Sequence, residues 1–217
     1  MKAIIHNRKI DAVIFDMDGT FYPITFYQEI YYRFAILAVN TFLGLRGEKC
    51  EDYLKENGIL PNSNPITARS LTDLIINAGV SINEWNEFRN NNFVLTGFEK
   101  TETVSLNALM SIKEKADLFL MTNNTKYSTK RILQELSIPF NLFKEVFSSE
   151  NLLVNNRKMT KEYGYRMISD KYSLSYTKML AVGDRFLIDL KPLIDLGGNG
   201  ILVNNPIEIN NIADLIQ

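Results

Sequence analysis

The sequence predicts an α/β protein, a parallel β-sheet with helices on both faces, interrupted by an inserted domain made of helices alone. Three observations predict it. Short apolar runs alternate with helical patterns over most of the chain. Each run ends in a cluster of small or polar residues. One long stretch, from about Tyr22 to Leu95, breaks the alternation with helical patterns only.

Ala12 to Phe15 is the first apolar run, with two β-branched residues, and reads as a buried strand. It ends in Asp16-Met17-Asp18-Gly19-Thr20, where glycine permits a sharp turn. Leu118 to Met121 leads into Thr122-Asn123-Asn124, Met179 to Val182 into Gly183-Asp184, and Gly200 to Val203 into Asn204-Asn205-Pro206. Val146-Phe147 is a further, weaker strand signal. Helical patterns lie between the runs: Ser105 to Ala116, Ser128 to Leu136 with Ser128 as N-cap, Glu162 to Tyr172, and Pro192 to Leu196. Proline suits the first turn of the last of these, and Gly197-Gly198 its end. Alternating strands and helices call for a parallel sheet. Ligands of such sheets bind beyond the carboxyl ends of the strands, where all these polar clusters fall.

The interrupting stretch reads as helices over Thr25 to Leu43, Glu48 to Asn57, Pro65 to Ala78 and Ile82 to Asn91, punctuated by Gly58, Pro61, Gly79 and Gly97. The domains expected are therefore a core of residues 1–21 with 97–217 and a helical domain of residues 22–96.

Bulk properties remove several function classes. The chain has 217 residues, 46% of them hydrophobic, enough for a substantial core. A formal net charge of −1 supplies no field to draw the protein onto nucleic acid or an anionic membrane. Phe34 to Leu45, the longest apolar stretch, is interrupted by Asn40 and Thr41 and falls short of the roughly 20 residues of a membrane span. Met1 to Ile10 lacks an apolar core followed by a small-residue cleavage site, so no signal peptide is expected. Cys50 is the single cysteine, which forbids an intramolecular disulfide and favours a reducing, cytoplasmic setting. Nothing selects between monomer and homodimer.

The strand-end clusters, taken in order, carry a specific likeness. Asp16-Met17-Asp18-Gly19-Thr20 resembles the first motif of the haloacid dehalogenase superfamily, Thr122 its second, and Gly183-Asp184 with Asp189 its fourth. Lys161 lies where that family places a functional lysine, although Glu162 follows it where the family often has proline. The resemblance covers the core, about two thirds of the chain, and the helical insert sits where the family's first (C1) type of cap is found. It implies a Rossmann-like core, Mg²⁺ as cofactor, and hydrolysis of a small phosphorylated metabolite.

Elementary chemistry supports these roles. Asp16 at a strand end can attack phosphorus and become an aspartyl phosphate. Asp18 can protonate the leaving oxygen and later deprotonate water. The carboxylates of Asp16 and Asp184, with the backbone carbonyl of Asp18, offer hard oxygen ligands to Mg²⁺, and Asp189 a water-mediated contact. Lys161 offsets the crowded negative charge. Thr122, with Asn123 and nearby backbone N–H groups, would hold phosphoryl oxygens. Lys158, three residues before Lys161, is the competing lysine and otherwise a solvated loop charge.

In the insert, Phe26, Tyr27, Ile30, Tyr31, Phe34 and Leu37 recur at helical spacing and read as packing residues, as do Trp85 and Phe88. Arg33, Arg69 and Arg89 read as surface charges before substrate contacts. Cys50 reads as a small apolar residue, and His6 as a surface group. A dehalogenase would not need Asp18. A phosphonate hydrolase would need a desolvated cap lysine, for which Lys49 and Lys55 are the candidates. A sugar phosphomutase of this type carries a cap histidine, and no histidine follows His6. A non-catalytic binding protein on the same fold is opposed by the intact set Asp16, Asp18, Thr122, Lys161 and Asp184.

Overall fold

A computed structural model describes residues 1–7, 9–59, 70–151, 153–154, 157–158 and 160–217, the two short pairs by backbone only. The chain divides into two compact units, Met1–Ile24 with Thr96–Gln217, and Thr25–Leu95.

The first unit is built on a six-stranded sheet. Its strands are β1 (Lys2–Ile4), β2 (Ala12–Phe15), β3 (Asp117–Met121), β4 (Glu145–Phe147), β7 (Met179–Gly183) and β8 (Asn199–Leu202), in the order β1-β8-β7-β2-β3-β4. A separate hairpin, β5 (Leu153–Val154) with β6 (Arg157–Lys158), lies between β4 and β7 in the chain. All pairings in the six-stranded sheet are parallel except β1 with β8. Strand β2 is central, with Phe15 opposite Leu120 on one side and Val182 on the other. Every residue of β2 and β7 is buried, as expected where both faces of a parallel sheet are covered.

Alternation along the strands divides the core. Ala12, Ile14, Phe119, Met121 and Ala181 face one side, where they pack with Tyr165 and Ile168 of α7 (Lys161–Tyr172) and Leu193 of α8 (Lys191–Asp195). Val13, Phe15, Leu118, Leu120, Leu180 and Val182 are equally buried on the other side. Helix α5 (Leu106–Lys113) buries Ala108, Leu109 and Ile112. Helix α6 (Lys126–Glu135) starts earlier than expected. Its N-cap is Thr125, whose hydroxyl accepts the Ser128 N–H at 3.1 Å, and Ser128 lies inside the first turn.

The strand-like β1 was not expected, because three exposed residues carry no burial pattern. Its place depends on Asn199, a buried side chain at the start of β8. Asn199 Oδ1 accepts the N–H groups of His6 and Asn7, while Nδ2 donates to the carbonyls of Thr177 and Met179. All four of its hydrogen-bonding sites are therefore used. The His6 side chain is exposed.

The second unit contains α1 (Ile24–Leu43, its first residue in the other unit), α2 (Glu48–Glu56), α3 (Leu71–Asn77) and α4 (Ile82–Asn92). The start of the expected Pro65–Ala78 helix, with Pro61 and Arg69, lies outside the described residues. Phe34 is buried with its ring centroid 5.7 Å from Trp85 and 5.1 Å from Phe93, and Phe88 stacks on Trp85. Trp85 Nε1 donates to Thr72 Oγ1 at 3.0 Å. Leu37 does not join this packing, being 42% exposed. Cys50 is buried. Arg33 is exposed and pairs with Glu29 one turn away, the Arg89 guanidinium lies over the Trp85 ring, and Lys49 and Lys55 are exposed. Among the described residues no helix is long and apolar enough to cross a membrane.

Replacing Asn199 with alanine strands four backbone groups at once. The expected loss is about 2–3 kcal/mol of stability, read by urea unfolding in far-UV circular dichroism. Asn204→Ala, at an exposed position, should stay within about 0.5 kcal/mol. Equal, small effects of the two would contradict the bridging role.

Candidate active site

The site lies within the first unit, at the carboxyl ends of three adjacent strands. Asp184 follows β7, Asp16 follows β2, and Thr122 follows β3. Parallel pairing brings these ends level: the Asp16 N–H donates to the Val182 carbonyl at 2.8 Å, and the Thr122 N–H to Phe147 at 2.9 Å. Residues far apart in sequence thus meet in one layer because their strands are in register.

Beyond Asp16 the chain turns, with the N–H groups of Thr20 and Phe21 donating to the Met17 carbonyl. Gly19 sits at φ 82°, and a Cβ there would collide with the Asp184 carboxylate. The second reason for glycine is therefore close approach of two acids. Gly183 is equally constrained, since a Cβ would strike the Asp189 side chain.

Lys161, the first residue of α7, is buried with Nζ 2.5 Å from Asp16 Oδ1 and 2.8 Å from Asp189 Oδ1. The competing Lys158 belongs to β6, and its side chain lies outside the described residues. Asp189 is held on several sides. Its Oδ2 accepts the Arg185 N–H at 2.8 Å, Arg185 Nη2 lies 3.7 Å from its Oδ1, and its carbonyl accepts the Tyr165 hydroxyl. Arg185 Nε also lies 3.8 Å from Asp184 Oδ1.

Asp18 does not point at Lys161. Its carboxylate accepts from the Tyr22 hydroxyl at Oδ1 and from Asn124 Nδ2, 3.0 Å from each oxygen. Asn124 also donates its backbone N–H to Thr122 Oγ1 at 3.1 Å. That bond occupies a lone pair of the threonine and leaves its O–H proton for another acceptor. Asn123, half-buried, sits between the two.

Carboxylates crowd this space: Asp16, Asp18, Asp184 and Asp189 stand against Lys161 and Arg185. Burial pushes the Asp184 carboxyl up to about 8, and the neighbouring Asp16 charge adds to the effect. Burial likewise raises Asp16 to about 6, against the opposing pull of Lys161. Asp18 is raised by burial and held back by Tyr22 and Asn124. For Lys161 burial disfavours the ammonium, but Asp16 and Asp189 together outweigh it and raise its pKa.

Three carboxylate oxygens in this cluster, Asp16 Oδ2, Asp184 Oδ1 and Asp189 Oδ1, are buried without a hydrogen-bond partner among the described residues, although the last lies 2.8 Å from Lys161 Nζ. Carboxylate oxygens of Asp16, Asp184 and Asp189 lie within 4.8 Å of one another and could hold a metal ion. An all-oxygen donor set with excess negative charge suits a hard divalent cation such as Mg²⁺. Asp189 already engages Lys161 and the Arg185 N–H, so Asp16 and Asp184 are the acids with coordination capacity to spare.

No protein-family model matches the chain, and no curated protein matches it in sequence. Solved structures do match. A HAD phosphatase of Thermococcus onnurineus aligns over 90% of this chain and 86% of its own at 15% identity, with TM-score 0.60. A magnesium-bound HAD-hydrolase of Bacillus subtilis aligns over 95% and 99% at 15% identity, TM-score 0.57. A 2-haloacid dehalogenase of Pseudomonas syringae pv. Tomato aligns over 95% and 97% at 15% identity, TM-score 0.54. The chain has the haloacid dehalogenase-like fold.

On that fold the residues at the strand ends are those the sequence motifs single out, but four others at the site escaped notice. Arg185, two residues after β7, carries no motif of its own in the sequence. Tyr22 was read as part of a domain junction. Asn124 was overlooked beside Asn123, and Tyr165 looked like one more aromatic of a helix. None of these roles has a one-dimensional spacing that marks it.

The raised carboxyls fix a pH dependence. In the folded chain Asp16 and Asp184 hold protons more tightly than at their ordinary value of 3.8. Between about pH 5 and 8 the folded state therefore binds more protons than the unfolded one, and stability without a divalent cation falls as pH rises. A thermal-shift series in EDTA should show Tm declining across that window. Added Mg²⁺ should raise Tm, and more at pH 8 than at pH 5. A Tm that climbs with pH in EDTA would contradict the crowded-acid reading.

Proposed function

We propose that the protein is a Mg²⁺-dependent phosphohydrolase that removes phosphate from a small phosphorylated metabolite through an aspartyl phosphate on Asp16. The observation that carries this reading is the acid-rich cluster around Asp16, with three buried carboxylate oxygens that lack a hydrogen-bond partner among the described residues and a further carboxylate, Asp18, held separately. A phosphatase and a dehalogenase share the fold, so the choice rests on these residues. Displacing halide from carbon needs one nucleophilic carboxylate. It needs neither a proton donor for the leaving group nor a cation.

Asp16 attacks phosphorus, and the bond from phosphorus to the ester oxygen breaks. The Asp18 carboxyl gives its proton to that departing oxygen. Asp18, now a carboxylate, takes a proton from water as the water oxygen attacks phosphorus, and the bond between phosphorus and Asp16 breaks. Inorganic phosphate leaves, and both acids return to their starting states. Thr122 donates its hydroxyl proton to a phosphoryl oxygen, and Lys161 keeps Asp16 ionised and oriented. Mg²⁺, held by Asp16, Asp184 and the Asp18 carbonyl, would supply neutralising charge to the phosphoryl oxygens. Asp189 then serves to hold Lys161 rather than to touch the ion. The single cysteine and near-neutral charge accord with a cytoplasmic protein that has neither nucleic acid nor membrane as partner.

The reading is tested by incubating the protein with p-nitrophenyl phosphate and, separately, with 2-chloropropionate. Phosphate release dependent on Mg²⁺ and abolished by EDTA is expected, without chloride release. Asp16→Asn should reduce turnover to background. Chloride release without phosphate release would reverse the assignment.

A further inference from the structure

We infer that Tyr22 and Asn124 are positioning residues that fix the Asp18 carboxylate so that Oδ2 is the oxygen that carries the proton. The inference rests on the phosphohydrolase reading and deepens it. Oδ1 of Asp18 accepts from both the Tyr22 hydroxyl and Asn124 Nδ2, whereas among the described residues Oδ2 accepts from Asn124 alone. With the Tyr22 hydroxyl donating, both lone-pair directions of Oδ1 are filled by donor hydrogens, and the proton goes to Oδ2.

Both donors are themselves rigid. Tyr22 is fully buried, its ring packs 5.1 Å from that of Phe98, and its backbone bridges to Asp18. Asn124 is buried, its carbonyl accepts the Ser149 N–H at 2.9 Å, and its backbone N–H reaches Thr122. Its Nδ2 also lies 3.3 Å from Thr122 Oγ1. One asparagine thus places the proton carrier and the phosphoryl-oxygen donor relative to each other. In the first step the Oδ2 proton passes to the leaving oxygen as its bond to phosphorus breaks. In the second, Oδ2 receives the proton of the attacking water. Proper aim is worth a large part of general acid–base catalysis, typically about 10²–10⁴-fold.

A purely structural role for these side chains predicts losses that ignore the leaving group. A positioning role predicts the opposite. The test measures kcat and KM for Tyr22→Phe and Asn124→Ala, in Mg²⁺, on p-nitrophenyl phosphate and 2-phenylethyl phosphate. The alkoxide of the second ester needs a proton to leave, and nitrophenolate scarcely does. Tyr22→Phe keeps the ring in its buried place and decides the matter alone if Asn124→Ala fails to fold. We expect kcat on the alkyl ester to fall at least about tenfold, the aryl ester to lose severalfold less, and KM to stay within about twofold for both. Equal losses on both esters, or a change confined to KM, would overturn the positioning role. A wild-type protein inactive on both esters would overturn the hydrolase reading instead, and this inference with it.

Discussion

The ammonium of Lys161, buried between Asp16 and Asp189, is the interaction on which the site depends. Taking a lysine out of water costs several kcal/mol unless its partners are close and well placed. Here two carboxylates lie within 2.5 and 2.8 Å, and each belongs to a different part of the chain. Asp16 is delivered by the central strand. Asp189 is delivered by the segment after β7, where the Arg185 N–H and the Tyr165 hydroxyl hold it. Removing the lysine would, among the described residues, leave Arg185 alone against the buried acids. Removing Asp189 would leave Lys161 with Asp16 as its one remaining close carboxylate among the described residues.

The same crowding explains the glycines and the cation. Gly19 is where the turn after β2 meets Asp184, Gly183 packs against Asp189 of its own segment, and neither position has room for a methyl group. Even with Lys161 and Arg185 in place, the four acids exceed the local positive charge by two, since four carboxylates face two cations. Electrostatic balance at neutral pH therefore calls for a divalent ion or for proton uptake by Asp184, whose carboxyl sits at about 8. The proposed reaction would draw on the same imbalance, since a cation placed there would also neutralise charge on a transferring phosphoryl group.

Much of this was legible in the sequence, for a physical reason. A central parallel strand is buried on both faces, so Ala12–Phe15, Leu118–Met121 and Met179–Val182 stand out as apolar runs, and the residues after them are at the ligand-binding edge. Asp16, Thr122 and Asp184 could be found from that rule alone. Lys161 needed the family resemblance, because a lysine at the start of a helix has no local signature of burial. The edge strand β1 was hidden, since its residues are exposed and its place is set by Asn199, nearly two hundred positions away. Tyr22, Asn124 and Arg185 were hidden similarly: what defines them is the partner they meet across the fold. The Ser128 cap was misplaced because Thr125 and Ser128 both carry a capping hydroxyl, and only the backbone turn at Thr125 decides between them.

In the proposed reaction Asp16 is phosphorylated and water then attacks phosphorus. An ester between Asp16 and carbon, as a dehalogenation would form, is instead opened at the aspartyl carbonyl carbon. The direct measurement is a single turnover with enzyme in excess over substrate in ¹⁸O-labelled water, followed by mass spectrometry of released phosphate and of the peptide carrying Asp16. Quenched early, the Asp16 peptide is expected to carry a phosphoryl group, and at completion label is expected in phosphate and none in Asp16. Label in the Asp16 carboxylate, or label in phosphate with no phosphorylated peptide at any time, would contradict that reaction.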